Sequence, residues 1–338
     1  MTVTTLTGID SGHDAVRTAL RKAVDELDDA IRPVVAYHLG WSDEHGEPVI
    51  ADSGKSIRSR LVLLAANAVG GDDACAVPGA VAVELIHNFS LVHDDLMDRD
   101  ATRRHRPTVW AVWGDAIAVL AGDAMLSLAH EVLLDSGSPH TVPAARILGT
   151  ATRDLIQGQA ADVGFEQRDD VSLAECIQMA RGKTGALLAA SALVGGVLAD
   201  APPDAVSTLG DYGYNVGLAF QLVDDLLGIW GEPEVTGKPV FSDLRSRKKS
   251  LPVTWTLQAG GDAGRQLAHW LARPGEPTEQ EVQEAADLVE TGGGRRWAQA
   301  EARRRVRAAA YALAGVPLRA HYRRELIDLA NFIIERSA

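Results

Sequence analysis

Two clusters of aspartates, each following a long apolar run, are the residues in this 338-residue sequence best suited to chemistry. HNFSLVHDDLMD contains Asp94, Asp95 and Asp98, and FQLVDDLLG contains Asp224 and Asp225. Asp94 and Asp98 are one helical turn apart and therefore share a helix face. Carboxylates this close repel each other, and their hard oxygen atoms suit Mg²⁺, which shares its coordination shell with substrate phosphates. The pattern predicts a Mg²⁺ site, the alternative for either cluster alone being a solvated helix end.

Basic side chains flank both clusters and could hold the phosphate groups that such a metal accompanies. Arginine offers bidentate hydrogen bonds to phosphate, and lysine offers a point charge. Lys55 and Arg58 also begin a predicted helix after a glycine, where backbone N–H groups favour an anion. Taken singly, each basic residue could equally belong to a solvated face. The basic residues beside the two clusters are Arg103, Arg104, Lys183, Lys238, Lys248 and Lys249.

The apolar residues around these clusters recur at helical spacing along most of the chain. No segment predicts a run of alternating strands, and no linker or repeat divides the sequence, so we expect one all-α domain over residues 1–338. The largest loop, residues 231–243, has the charge and glycine content of a functional loop. Helical spacing begins at residues 10–39, and further helices are predicted at about 55–70, 78–100, 107–135, 139–168, 171–181, 183–199, 203–230, 250–260, 276–291, 295–314 and 317–336.

Composition and charge exclude several classes of protein. Lys and Arg number 33 against 46 Asp and Glu, a net charge of −13, whereas non-specific binding to nucleic acid or anionic membranes needs a basic surface. The basic stretch 295–307 is interpreted as a solvated helix face, so no nucleic-acid partner is expected. Cys75 and Cys176 cannot form a disulfide framework, which favours the cytoplasm. The longest uncharged run, Thr184 to Ala199, is shorter than a bilayer span, so no membrane segment is predicted.

In their order and spacing, the motifs resemble those of the trans-isoprenyl diphosphate synthase family, most nearly its actinobacterial geranylgeranyl diphosphate synthases. The resemblance extends from about Gly54 to Lys249 and rests on GKSIRSR, HNFSLVHDDLMD with TRRHRPT, GDAMLSLA, GQAAD, KTG, and FQLVDDLLG with GKPVFSDLRSRKKSLP. It implies a single-domain isoprenoid synthase fold, with helices around a central active-site cavity, and a homodimer. It also implies Mg²⁺-dependent condensation of isopentenyl diphosphate with allylic diphosphates such as dimethylallyl, geranyl and farnesyl diphosphate.

Roles for individual residues follow from the same resemblance. Asp94 and Asp98 would bind two Mg²⁺ ions on the allylic diphosphate and Asp224 a third, and the whole metal set is Asp94, Asp95, Asp98, Asp224 and Asp225. Thr184 and Gln221 would line the reacting carbons. The catalytic set is Lys183, Thr184, Gln221 and Lys238. The substrate-binding set is Lys55, Arg58, His87, Arg103, Arg104, Gln159 and Lys248, with Asp162 as the polar partner of Gln159.

One residue departs from the family pattern. The second motif usually ends in a third aspartate, and here that position is Gly228. Loss of an outer contact to a metal typically costs about 10–100-fold in affinity or activity, which raises the alternative of a non-catalytic subunit in a heteromeric prenyltransferase. A class I terpene cyclase is another alternative, but such an enzyme needs to bind only one diphosphate. The second basic set, Lys55, Arg58 and Arg104, disfavours it.

The length of the product is expected to depend on residues just before the first motif. In the family, a bulky ring at the position of Phe89 often forms the floor of the tunnel that receives the growing chain. Ser90 beside it is small and leaves room. The first motif also lacks the longer spacer found in many bacterial C20 enzymes. From these features we predict a C20 product, geranylgeranyl diphosphate, with C15 and C25 products as alternatives.

Overall fold

The computed structural model describes residues 10–49, 56–232 and 239–335. Helices dominate this part of the chain, which confirms the all-α prediction. The helices are α1 (Asp10–Asp25), α2 (Arg32–His38), α3 (Ile57–Ala68), α4 (Asp73–Met97), α5 (Val109–Trp113), α6 (Asp115–Leu134), α7 (Thr141–Glu166), α8 (Leu173–Ala180), α9 (Ala186–Leu198), α10 (Pro203–Trp230), α11 (Ser242–Arg245), α12 (Leu251–Ala259), α13 (Gly261–Leu271), α14 (Glu279–Thr291), α15 (Gly294–Ala312) and α16 (Ala320–Glu335).

Several features of the fold were not predicted from the sequence. Helix α13 was missed because its first residues, glycines and an aspartate, resemble a loop, yet its apolar residues Leu267 and Trp270 are buried. A short antiparallel hairpin, β1 (Thr102–Arg103) with β2 (Arg106–Pro107), was also missed because each strand has two residues. The predicted helix 107–135 is divided at Gly114, whose φ of 83° ends α5 before α6 begins.

The described residues form two compact units, so the single domain stays a prediction. The first unit comprises the described parts of residues 1–150 with 190–210 and 316–323. Its central helix is α4, which packs against α1, α3 and α6. Asp72 caps α4 by accepting a hydrogen bond from the backbone N–H of Cys75. Gly195 of α9 lets that helix approach α3, since a Cβ there would lie 2.3 Å from the carbonyl oxygen of Val62.

The second unit comprises residues 151–189 and the described parts of 211–315 and 324–338. Within it, α12 packs against α8, α13, α14 and α15, and α11 packs against α14. The apolar cluster among these helices includes Ile229 from the end of α10 and Leu244 from α11, both fully buried. This cluster fixes the segment that follows the loop, residues 239–249, against the end of α10.

Helices α4 and α6 are long and apolar enough, by length and composition alone, to span a membrane. In their most apolar stretches, 67% of α4 and 39% of α6 is buried inside the protein. A core helix of a globular protein meets the same criterion, and α4 is packed on several helices of its own unit. Burial therefore explains the apolar character of α4.

Candidate active site

The first aspartate motif lies at the C-terminal end of α4, in the first unit. Asp95 is buried, and its oxygens accept hydrogen bonds from Nε of Arg103 at 2.8 and 3.0 Å. Nη2 of Arg103 lies 2.7 Å from the same carboxylate. Asp94 is half-buried, and Asp98, which ends the helix, is exposed. Asp95 is therefore paired with the guanidinium of Arg103, whereas Asp98 is open to solvent.

The hairpin of β1 and β2, which follows α4, places Arg103 next to this motif. Its turn residues, Arg104 and His105, have left-handed backbones with φ of 51° and 61°. This conformation costs a residue other than glycine about 1–3 kcal/mol and persists where the surroundings impose it. Arg106 supplies that constraint, since it donates to the carbonyl oxygen of Tyr37 at 3.2 Å and stacks 4.1 Å above the Tyr37 ring. The hairpin is therefore anchored to α2.

A histidine and an arginine of the predicted isopentenyl diphosphate site lie in contact. Nη1 of Arg58 lies 3.1 Å from Nε2 of His87. Burial and then the charges of Arg58 and Arg104 hold the pKa of His87 well below 6.5. The ring is therefore neutral at neutral pH, and its Nε2 accepts the hydrogen bond from Arg58. Lys55, predicted for the same site, lies outside the described residues.

A second buried histidine near this group was not predicted. Nε2 of His38, on α2, lies 3.1 Å from Oδ1 of Asn88 on α4. Burial, followed by the charges of Arg103 and Arg104, lowers the pKa of His38 to about 3. No motif in the sequence marks His38, because its partner is 50 residues away in the chain. The first unit therefore combines several arginines with two neutral histidines.

The two residues predicted to control product length are both buried on α4. Phe89 is 5% exposed and packs edge-to-face on His93, with ring centres 5.1 Å apart. The hydroxyl of Ser90 donates to the carbonyl oxygen of His87 at 2.8 Å. Nε2 of His93 in turn lies 3.1 Å from the carbonyl oxygen of Val119 on α6. Phe89 is thus a fixed ring, whereas Ser90 satisfies its hydroxyl within its own helix.

In the second unit, Lys183 lies on a single π-helical turn between α8 and α9, residues Arg181–Gly185. Its Nζ donates to Oδ2 of Asp162 at 2.6 Å. Gly158 of α7 allows this turn to pass close by, since a Cβ there would lie 2.2 Å from the backbone nitrogen of Lys183. Such π-helical turns are rare and occur frequently at functional sites. The turn, Gly158 and Asp162 together fix Lys183.

Gln159, the neighbour of Gly158, is the predicted substrate-binding residue of this region. Its side chain is 5% exposed. Neither its Nε2 nor its Oε1 has a hydrogen-bond partner within the described part of the chain. Because a buried amide without partners costs about 1–3 kcal/mol, this group is suited to a water molecule or a ligand.

The second aspartate motif is tied to the π-helical turn and to α12 by a line of hydrogen bonds. The hydroxyl of Thr184 donates to Oε1 of Gln221. Nε2 of Gln221 donates to Oδ1 of Asp225 at 2.7 Å, and the backbone nitrogen of Leu251 donates to Oδ2 at 2.8 Å. Asp225 is 3% exposed, and this burial raises its pKa to about 7. Asp224, beside it, is exposed.

Lys248 stands among four aspartates of the second unit. Burial alone would favour its neutral form, but the charges of Asp243, Asp162, Asp225 and Asp224, in that order, raise its pKa above the usual value. Nζ of Lys248 lies 3.9 Å from Oδ2 of Asp162. The ammonium therefore stays charged and compensates part of the negative charge of the motif. Neither Asp243 nor its relation to Lys248 was predicted from the sequence.

The carboxylates of both motifs fit Mg²⁺ that is shared with a phosphate ligand. Among residues 10–49, 56–232 and 239–335, no three His, Cys, Asp or Glu side chains converge as a ready-made metal cage. Mg²⁺ typically uses one or two carboxylates, several waters and substrate phosphates, so such a cage is not required. The exposed Asp98 and Asp224 have the donor chemistry for this arrangement. Lys238, predicted beside them, lies outside the part of the chain that is described.

Comparison with known proteins identifies the family of this chain. Residues 41–289 match the polyprenyl synthetase family. The chain belongs to this family. It is a prenyltransferase of the short-chain isoprenyl diphosphate synthase type, as the motifs predicted.

Individual relatives are similar over most or all of the chain. A "(2E,6E)-farnesyl diphosphate synthase" of Mycobacterium tuberculosis is 60% identical, with 100% of this chain and 95% of the relative covered. A "geranylgeranyl diphosphate synthase" of the same organism is 42% identical over 87% of this chain and 84% of its own length. The solved structure of a polyprenyl synthetase from Streptomyces coelicolor A3(2) is 48% identical, has a TM-score of 0.91, and covers 96% of this chain and 98% of its own. The isoprenoid synthase fold is thereby confirmed.

Proposed function

We propose that this chain condenses isopentenyl diphosphate with dimethylallyl diphosphate and then with geranyl diphosphate, in the presence of Mg²⁺, and releases farnesyl diphosphate as its main product. The observation that supports the C15 product best is the 60% identity to farnesyl diphosphate synthases over the entire chain. This choice replaces the C20 product that the sequence alone suggested.

Geranylgeranyl diphosphate is the second candidate product. Phe89 is buried and held against His93, which suits a tunnel floor at a fixed depth. Ser90 next to it is small, and its hydroxyl is satisfied within α4, so it leaves room beside the ring for a longer chain. The 42% identical geranylgeranyl diphosphate synthase supports the same possibility.

We propose that two cationic side chains, Arg103 and Lys183, bind the allylic diphosphate, and that an aspartate holds each of them in position. Asp95 fixes Arg103, and Asp162 fixes Lys183. Both pairs use charge-assisted hydrogen bonds, which are the stronger kind and preserve direction. Preorganised cations of this sort stabilise a leaving group without moving during the reaction. In this proposal Asp95 positions an arginine.

Asp94, Asp98 and Asp224 are assigned to hold Mg²⁺, which would neutralise charge on the departing diphosphate when bound. The allylic C–O bond breaks with its electron pair leaving on the diphosphate. The double bond of isopentenyl diphosphate then supplies the pair for the new C–C bond. A proton leaves to the released diphosphate, so that no protein base is needed.

The allylic cation formed in this step requires electron-rich groups beside it. Thr184 donates its hydroxyl proton to Gln221, which leaves the lone pairs of its own oxygen available to the cation. Gln221 keeps this orientation because its amide donates to Asp225. The neutral ring of His87 with Arg58 is assigned to the diphosphate of isopentenyl diphosphate.

A cytoplasmic homodimer is part of the proposal. Large apolar side chains of α6, Val119, Leu120 and Leu134, are 41%, 52% and 52% exposed. A second copy of the chain would cover such a face. Light scattering coupled to size-exclusion chromatography tests this, with a mass near twice 36.0 kDa expected.

The experiment that tests the function is incubation of the purified chain with isopentenyl diphosphate, Mg²⁺ and each allylic starter in turn. Elongation of dimethylallyl and geranyl diphosphate is expected, and addition of EDTA should abolish it. Cyclised hydrocarbon from a preformed prenyl diphosphate would instead identify a terpene cyclase. No elongation with any starter would contradict the proposal and favour a non-catalytic subunit.

A further inference from the structure

A carboxylate from another segment of the second unit lies against the position at which the second motif lacks its third acid. Position 228 is one helical turn after Asp224 on α10 and holds glycine. A Cβ on Gly228 would lie 2.4 Å from Oδ2 and 2.6 Å from Oδ1 of Asp243. The carboxylate of Asp243 therefore occupies the space in which a side chain at position 228 would begin.

The segment that carries Asp243 is fixed on the end of α10 by several contacts. The hydroxyl of Ser242 donates to the carbonyl oxygen of Gly228 at 3.2 Å. The backbone nitrogen of Phe241 donates to the carbonyl oxygen of Ile229 at 3.1 Å. Leu244 is buried with Ile229 in the apolar cluster of this unit. Residues on both sides of Asp243 therefore hold its carboxylate close to Gly228.

The charge around Asp243 agrees with a role in the motif. Its carboxylate is the largest of the four acidic influences that keep Lys248 charged. The same carboxylate lies close enough to Asp225 for the two negative charges to interact. Asp243 thus belongs electrostatically to the motif of α10, although it is 18 positions beyond Asp225 in the sequence.

We infer that Asp243 supplies the third carboxylate of the second motif in place of a side chain at position 228. Gly228 is then the residue that makes room for this carboxylate, so the two positions form a coupled pair. The inference rests on the proposed function, because it assigns the motif to a divalent cation shared with a diphosphate.

Binding of Mn²⁺ in the presence of inorganic pyrophosphate, followed by electron paramagnetic resonance on the full chain, tests the inference without turnover. Asp243→Asn is expected to weaken Mn²⁺ binding by about 10-fold or more, as loss of an outer metal contact does. Gly228→Ala should also weaken it, because the new Cβ displaces the Asp243 carboxylate. Asp224→Asn is the comparison that should lose the site, and Asp211→Asn, an exposed acid earlier on α10, should bind as the parent does.

Double variants at positions 228 and 243 distinguish a role of Asp243 in metal binding from a merely structural one. In an Asp243→Ala background, Gly228→Ala should cause no further loss of Mn²⁺ affinity, because the displaced group is already gone. Gly228→Asp in that background should restore part of the affinity. Unchanged Mn²⁺ binding in Asp243→Asn, or additive losses in the double variant, would overturn the inference. Circular dichroism melts verify that each variant is folded.

Product assays on the same preparations distinguish failure of the proposed function from failure of the inference about Asp243. If the parent chain elongates no starter while Asp243→Asn still weakens Mn²⁺ binding, the proposed function fails and the coupling of Asp243 to the metal stands. If the parent elongates and Asp243→Asn binds Mn²⁺ as tightly as the parent, the function stands and this inference fails.

Discussion

Arg103 holds Asp95 through both carboxylate oxygens, with Nε at 2.8 and 3.0 Å. The middle acid of the first motif is therefore tied to the hairpin that follows α4. This pairing gives the three acids of the motif different chemical surroundings, since Asp95 is buried whereas Asp98 is exposed.

Substitution of Asp95 should act through Arg103. Asp95→Asn is expected to raise KM for the allylic diphosphate and to destabilise the protein by about 3 kcal/mol, because it leaves a partly buried arginine without its carboxylate. Asp98→Asn, at an exposed position, should lower kcat and Mg²⁺ affinity with little loss of stability. Steady-state kinetics and urea unfolding measure both variants. Equal destabilisation by the two substitutions would contradict this assignment.

The buried His38 should make the protein sensitive to acid. Its folded pKa of about 3 lies below the unfolded value of 6.5, so the folded state binds the proton less readily than the unfolded chain. The stabilising contribution is therefore present above pH 6.5 and is lost as the pH falls towards 3, by at most about 5 kcal/mol.

Urea unfolding at intervals from pH 7 to pH 4 tests this dependence on His38. The variant His38→Asn should show a shallower loss of unfolding free energy with falling pH than the parent. His269→Asn, at an exposed position of α13, is the matched control and should follow the parent. Parallel pH profiles for His38→Asn and the parent would rule out His38 as the cause.

Truncation of Phe89 should lengthen the product. Phe89→Ala removes a buried ring and is expected to extend the main product by one or more isoprene units. It also creates a cavity that costs about 3–5 kcal/mol, so Phe89→Leu serves as the milder variant. Ser90→Ala is the control and should leave the product length unchanged. Chromatography of the dephosphorylated products gives the result, and unchanged length in both Phe89 variants would place the floor elsewhere.

Gly158 should be essential to the position of Lys183. Gly158→Ala places a Cβ 2.2 Å from the backbone nitrogen of Lys183, where neither backbone can yield cheaply. We expect a loss of about 2 kcal/mol in stability and at least about a tenfold fall in kcat.

Gly164 offers a matched control on the same helix. A Cβ at Gly164 meets no atom within 4 Å, so Gly164→Ala should leave kcat unchanged and stabilise α7 by about 0.5–1 kcal/mol. Thermal melts and initial rates measure both glycine variants. Equal behaviour of the two would show that the π-helical turn does not depend on the close approach of Gly158.

The sequence predicted the features that are local in the chain. Helical periodicity located most helices, and motif spacing located both aspartate clusters and their basic neighbours. Helix α13 escaped because its beginning carries loop residues, and the hairpin escaped because two-residue strands have no period. Both depend on contacts with other elements that a periodic pattern does not contain.

Long-range pairings could not be predicted for the same reason. Asp243 meets Gly228 because residues on either side of it pack on the end of α10, and His38 meets Asn88 across 50 residues. The pairing of Asp95 with Arg103 depends on the turn between them. The sequence therefore identified which side chains could do chemistry, and the fold distinguished those that are held by protein partners from those open to solvent.

The proposed function is the formation of farnesyl diphosphate as the main product. The most direct measurement is the length of the product made from dimethylallyl diphosphate and excess labelled isopentenyl diphosphate with Mg²⁺. We expect C15 to accumulate and added farnesyl diphosphate not to be extended. Accumulation of C20 with rapid extension of farnesyl diphosphate would contradict it.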